Sequence, residues 1–148
     1  MATRTRNQGS DWLALASPDP VKIHRAWEAG ELTQLPSGRL WLAAEADLRR
    51  SVDAMQRVGP EQLGPVLVFP SAELAWWLVP CNTHDELADL AQLTVRPKGW
   101  MLRCPPADRY VDGWGWLEKP DGSGLLTDPT VLSAAFDLGG RLPAAAFC

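Results

Sequence analysis

Histidine and cysteine are scarce in this sequence, with two of the first and three of the second among 148 residues. Two imidazoles, His24 and His84, leave little material for a histidine-based nucleophilic site, and no Gly-x-Ser-x-Gly elbow accompanies them. The cysteines, Cys81, Cys104 and Cys148, are too few and too scattered for a disulfide scaffold and fit a reducing cytoplasm. A phosphate-cradling glycine loop of the P-loop or dinucleotide type is also missing. No apolar run approaches the roughly 18–20 residues of a membrane span, so no membrane partner is expected. Basic residues are in deficit, 14 against 18 acids for a net charge of −4. That balance disfavours an extended non-specific grip on nucleic-acid backbones.

Against these gaps stand eight tryptophans, beside one tyrosine and three phenylalanines. Tryptophan brings a large buried area and an indole N–H that seeks a partner. Some of the eight must be core; others are candidates for an exposed recognition surface. A hydrophobic fraction of 46% and a charged fraction of 22% are those of a globular chain, long enough to bury one core without staples. Residues 1–10 carry arginines at positions 4 and 6 with no apolar stretch behind them. They read as a short disordered leader rather than a secretory signal. One domain over residues 11–140 and a tail of residues 141–148 complete the division.

Ser17-Pro-Asp-Pro20 opens the first helix, with Asp19 as cap and Pro20 at the first helical position. This helix runs to about Ala29, sets Ile23 and Trp27 on one face and His24 beside Glu28, and ends at Gly30. Leu35-Pro-Ser-Gly38 reads as a turn before the apolar strand Arg39–Ala44. A helix is expected from Glu45 to Val58, with Leu48, Val52 and Met55 inward and the pairs Glu45–Arg49 and Asp53–Arg57 on the wet side. Strands at Pro65–Phe69 and Glu73–Val79 make a hairpin. Thr83-His-Asp-Glu86 matches a capping box and predicts a helix from His84 to about Gln92. Gly99–Cys104 and Arg109–Glu118 are further strands, and Asp128-Pro129 opens a last helix that Gly139-Gly140 ends.

The succession strand, helix, strand, strand, helix, strand over Arg39–Cys104 is the split βαβ arrangement. The expected fold is therefore α+β: a single domain with an RRM-like βαββαβ core. It should carry a mixed, antiparallel-rich sheet with both crossover helices on one face, and flanking N- and C-terminal helices.

Cys81-x-x-His84 has the spacing of half a zinc site, but no second closely spaced pair completes it. A loop cysteine beside a capping-turn histidine is the plain alternative. Arg96, Lys98, Arg103 and Arg109 lie close in sequence with Asp108 as the one acid among them. They form either a nucleic-acid patch or solvated sheet-edge charge. Trp76 and Trp77 are adjacent in a strand and must face opposite sides. One belongs to the core. The other lies on the second sheet face, with Trp41 and Trp100 as candidate companions there, where aromatics stack on bases in nucleic-acid-binding sheets or the first helix covers them through Trp27. Trp114 and Trp116 share a face if both lie in a strand.

Trp27, Leu35-Pro-Ser-Gly-Arg-Leu-Trp41, Gly64-Pro-Val-Leu67, Trp77-Leu-Val-Pro80 and Trp116-Leu-Glu-Lys-Pro-Asp-Gly-Ser-Gly124 precede a final helix. This pattern resembles the N-terminal domain of bifunctional DNA primase/polymerases (Prim-Pol, archaeo-eukaryotic primase superfamily), and most closely its small stand-alone actinobacterial type. The resemblance covers most of residues 11–137 and implies a primase-like fold. It also implies what an active member needs: an Asp-x-Asp pair at the end of the strand after the Pro-x-Gly turn, holding divalent ions that activate the attacking hydroxyl and stabilise the departing pyrophosphate. A Gly-Gly-x-His element on the second hairpin strand would hold the nucleotide phosphates. Here those positions read Leu42-Ala-Ala-Glu-Ala-Asp47 and Glu73-Leu-Ala-Trp-Trp77. Glu45 and Asp47 remain as metal candidates. They share one side if the strand extends through Asp47, and diverge by about 200° if a helix begins at Glu45, as the Glu45–Arg49 pairing favours.

Together with the resemblance, these residues point to a catalytically degenerate, cytoplasmic, Prim-Pol-like domain that is a binding or regulatory module rather than an enzyme. Its expected partner is a protein or a second copy of the chain, met at a face bearing Trp41, Trp76, Trp77, Trp100, Trp114 and Trp116. No cofactor is expected. One alternative is a single-stranded nucleic-acid or nucleotide binder using Arg96, Lys98, Arg103 and Arg109. The other is an active primase/polymerase with displaced acids Glu45 and Asp47, which alone calls for a divalent metal.

Overall fold

The computed structural model describes residues 7–83, 87 and 90–140. Helix α1 (Gln8–Ala14) begins inside the stretch expected to be a disordered leader, and Gly9 and Ser10 are buried. Asn7 caps it by accepting the Ser10 N–H at 2.9 Å, and the Ser10 hydroxyl accepts the Ala107 N–H at 2.8 Å. Ordering of residues 7–10 thus follows from a cap and a long-range bond, neither visible in composition. Residues 1–6 lie outside the described set, as does the tail of residues 141–148.

Helix α2 (Pro20–Glu28) starts as the Asp-Pro signal dictates, with Asp19 accepting the Lys22 N–H at 3.2 Å. Ile23 and Trp27 are buried on one face, as their spacing predicts. Strand β1 (Thr33–Pro36) then takes part of the segment expected to be a turn. It pairs antiparallel with β6 (Met101–Cys104) in a separate two-stranded ribbon.

The main sheet is built from β2 (Leu42–Asp47), β3 (Val66–Phe69), β4 (Leu74–Val79), β5 (Leu93–Val95) and β7 (Gly115–Glu118) in the order β5-β2-β4-β3-β7. Its pairings are all antiparallel. Helix α3 (Leu48–Val58) carries the chain from β2 to β3, and the β3–β4 hairpin returns β4 between those two strands. This is the split βαβ arrangement, so the α+β expectation holds. One strand differs. The closing strand of the unit is the three-residue β5 rather than Gly99–Cys104, which the ribbon with β1 captures. The helix expected over His84–Gln92 falls largely outside the described residues. Helix α4 (Pro129–Gly140) opens at Asp128-Pro129 but continues through Gly139 and Gly140 instead of stopping at them.

Period-two alternation divides the sheet's side chains between two cores. Leu42, Ala44, Ala46, Trp77 and Val79 pack on the side of α3 and α4, against Ala54, Val58, Leu132 and Phe136. Ala43, Leu67, Trp76 and Leu78 pack on the other side, beneath Leu13, Ile23, Trp27, Leu35 and Leu102 of α1, α2 and the ribbon. Helix α3 turns Ser51, Ala54 and Val58 inward, with Leu48 and Met55 partly buried, whereas Val52 is 40% exposed. The face with small residues wins because it lets the helix approach the sheet closely enough for the Trp77 indole to donate to Ser51 Oγ at 3.0 Å.

Candidate functional site

The acid pair comes first because its geometry turns on where β2 ends. The strand continues through Asp47, and α3 begins at Leu48 rather than at Glu45. Glu45 and Asp47 therefore share one side of the strand. Both carboxylates nevertheless have structural partners. Asp47 is the N-cap of α3, accepting the Arg50 N–H at 3.0 Å. Glu45 Oε1 accepts the Trp76 indole N–H at 3.0 Å and Arg96 Nε at 3.2 Å, while Oε2 accepts Arg96 Nη2 at 2.9 Å. The expected Glu45–Arg49 helical pair is replaced by this bidentate ion pair, because Glu45 lies in the strand. Arg96 in turn sits 5.4 Å from the Trp100 ring centroid. The pair thus works as a clasp between β2, β4 and the segment after β5, together with a helix cap. Among the described residues, no group of three or more His, Cys, Asp or Glu side chains is placed to share a metal ion.

The tryptophan surface expected from the sequence is not a surface. Trp41, Trp76, Trp77, Trp114 and Trp116 are buried, and Trp100 is half-buried. Trp76 and Trp77 do face opposite sides. Trp77 meets Phe136 edge-on at 5.7 Å, whereas Trp76 stacks on Trp114 at 5.0 Å, and Trp114 on Phe69 at 4.4 Å. The second sheet face is closed by α1, α2 and the ribbon, which is why its aromatics are unavailable to a partner. Covered indoles mostly find acceptors: Trp27 Nε1 donates to the Cys104 carbonyl at 3.0 Å and Trp116 Nε1 to the Pro105 carbonyl at 3.1 Å.

The four basic residues do not form one stripe. Arg96 is held by Glu45, and Lys98 lies exposed beside Gly38. Arg103 is exposed on the ribbon opposite Gln34. Arg109 bonds Asp108 at 3.3 Å and donates to the Trp27 carbonyl in the last turn of α2, where a cation suits the helix dipole. His24 meets Asp11 of α1 at 3.3 Å and lies edge-on to Trp27. Of the Cys81-x-x-His84 motif, Cys81 is partly exposed and His84 lies outside the described residues. Cys104 is fully buried in the core, and burial pushes its thiol pKa well up.

Two features had no clear signal in the sequence. The first is the outer flank of β7, which ends the main sheet and pairs on its other flank with β3. Beside it Tyr110 is 53% and Leu117 42% exposed. A hollow of about 340 Å³ there is bordered by Asp108, Arg109, Glu118 and Lys119. Burial, with Asp121 nearby, raises the Glu118 pKa, while hydrogen bonds from Ser123 lower that of Asp121. The second feature, a hollow at the opposite edge of the sheet, is formed by residues far apart in sequence. No family model, curated protein or solved structure matches the chain.

Proposed function

We propose that this chain is a catalytically degenerate Prim-Pol-like domain that works by protein contact, associating with a second copy of itself through the outer flank of β7. The carrying observation is that β7 terminates the five-stranded sheet with Tyr110 and Leu117 exposed at its flank. A strand edge that has no partner strand among the described residues, with apolar side chains beside it, is a template for another strand. The hollow next to it is bordered by two acids, Asp108 and Glu118, and two bases, Arg109 and Lys119. Such a border is complementary to itself, because a two-fold axis can set each acid toward a base of the other copy. The binding reading, as opposed to a catalytic one, draws support from the commitment of Glu45 and Asp47 to the clasp and the cap.

Sedimentation velocity over a wide concentration range tests this. A concentration-dependent dimer is expected, and Leu117→Lys should abolish it while leaving the circular dichroism spectrum unchanged. A chain that stays monomeric throughout, or a dimer untouched by Leu117→Lys, overturns the proposal.

A further inference from the structure

At the edge of the sheet opposite β7, a hollow of about 530 Å³ opens where β2 begins and β5 ends. It lies at the other end of β2 from Asp47, away from the positions where the resemblance would put metal and phosphate ligands. Leu42 and Val95 give it an apolar side, Arg96 and Lys98 give it two cations, and Thr83 adds a hydroxyl. No carboxylate lines it among the described residues.

Each polar group there has a distinct status. Arg96 is anchored by Glu45, which fixes the guanidinium in place and offsets part of its charge. Lys98 is exposed and has no ion-pair partner among the described residues. Thr83 is 1% exposed, and its hydroxyl has no hydrogen-bond partner among the described residues. A buried hydroxyl without a partner is unusual and costs free energy that a bound acceptor would restore. The turn that carries Lys98 is firmly built: the Ser37 N–H donates to the Trp100 carbonyl at 2.9 Å and the Gly99 N–H to the Ser37 carbonyl at 2.8 Å. Gly38, at φ +103°, lets the Lys98 side chain cross it, since a Cβ there would stand 2.1 Å from Lys98 Cγ.

We infer that this hollow binds a small organic phosphate. Lys98 supplies the charge, Thr83 donates its hydroxyl proton to a phosphate oxygen, and the outer face of the Arg96 guanidinium adds a further cationic contact. Leu42 and Val95 receive the apolar body of the ligand. Phosphate suits the site better than carboxylate because a dianionic tetrahedral group offers three oxygens to donors arriving from different elements. The site lies at the opposite sheet edge from β7, so it stands independently of self-association.

Titration calorimetry with phenyl phosphate, inorganic phosphate and benzoate tests the inference. Phenyl phosphate should bind saturably, inorganic phosphate more weakly, and benzoate weakest. Loss of a charge-assisted contact in Lys98→Ala should weaken phenyl phosphate binding by about tenfold or more, and Thr83→Val should weaken it further. Lys22→Ala, exposed on α2, should leave it unchanged. Circular dichroism establishes that each variant is folded, and ligand protection of Cys81 from thiol labelling gives a second readout at the same hollow. Absence of saturable binding, binding indifferent to Lys98→Ala, or benzoate binding as tightly as phenyl phosphate would overturn the assignment.

Discussion

Indole N–H groups govern much of the residue-scale energetics. Trp77 donates to Ser51 Oγ across the interface of α3 with the sheet, and both residues are fully buried. Ser51→Ala leaves that N–H without a partner and should cost about 1–3 kcal/mol. Combining it with Trp77→Phe should cost less than the sum of the two single changes, because the second removes the orphaned donor. Urea denaturation of the four proteins in that cycle measures both. Glu45 is a second such point, since one carboxylate receives both Trp76 and Arg96. Glu45→Ala strands the Trp76 N–H and should destabilise by about 1–3 kcal/mol, whereas Glu45→Gln keeps an acceptor for Trp76 and should cost less. Equal losses for the two variants would show that the clasp is not what Glu45 provides.

Helix α1 illustrates how an element is positioned by what its sequence omits. A Cβ on Gly9 would lie 1.8 Å from the Pro120 carbonyl oxygen, so α1 reaches the Pro120 loop only because residue 9 has no side chain. Gly9→Ala should force the helix away at a cost of about 1–3 kcal/mol, as overpacking does. Its signature is local: amides of α1 should exchange faster with solvent while those of α3 keep their protection. Uniformly faster exchange would mean that α1 is not a separable element. The β1–β6 ribbon depends on a similar joint, where the Trp27 indole and the Thr33 hydroxyl both donate to the Cys104 carbonyl, at 3.0 and 3.1 Å. That shared acceptor holds Gly99–Cys104 against α2 and β1, where the sequence pattern alone assigns it to the main sheet.

Over the whole molecule, stability against pH has a worked sign. Burial and the neighbouring Asp121 raise the Glu118 pKa, with Lys119 opposing, so the folded state holds that proton more tightly than the unfolded chain. Stability from this group is intact below the ordinary glutamate range and declines as pH rises through the raised value. Asp121, lowered by its bonds to Ser123, acts in the opposite sense, losing stability as pH falls through its depressed value. Glu118→Gln should therefore be more stable than the parent at neutral pH, with the gap closing below the ordinary glutamate range; thermal melts across pH decide it, and parallel curves would refute it. The same division of local from distant causes explains what was legible in advance. Caps and periodicities made the start of α2, the hairpin of β3 and β4 and the split βαβ order readable, because each rests on residues a few positions apart. Tertiary structure alone decided that Glu45 would pair with Arg96, 51 residues away, that β6 would leave the main sheet, and that Trp41, Trp76, Trp77, Trp114 and Trp116 would all be covered. Each of those outcomes depends on which element closes over a sheet face, and no local pattern in the chain encodes that closure.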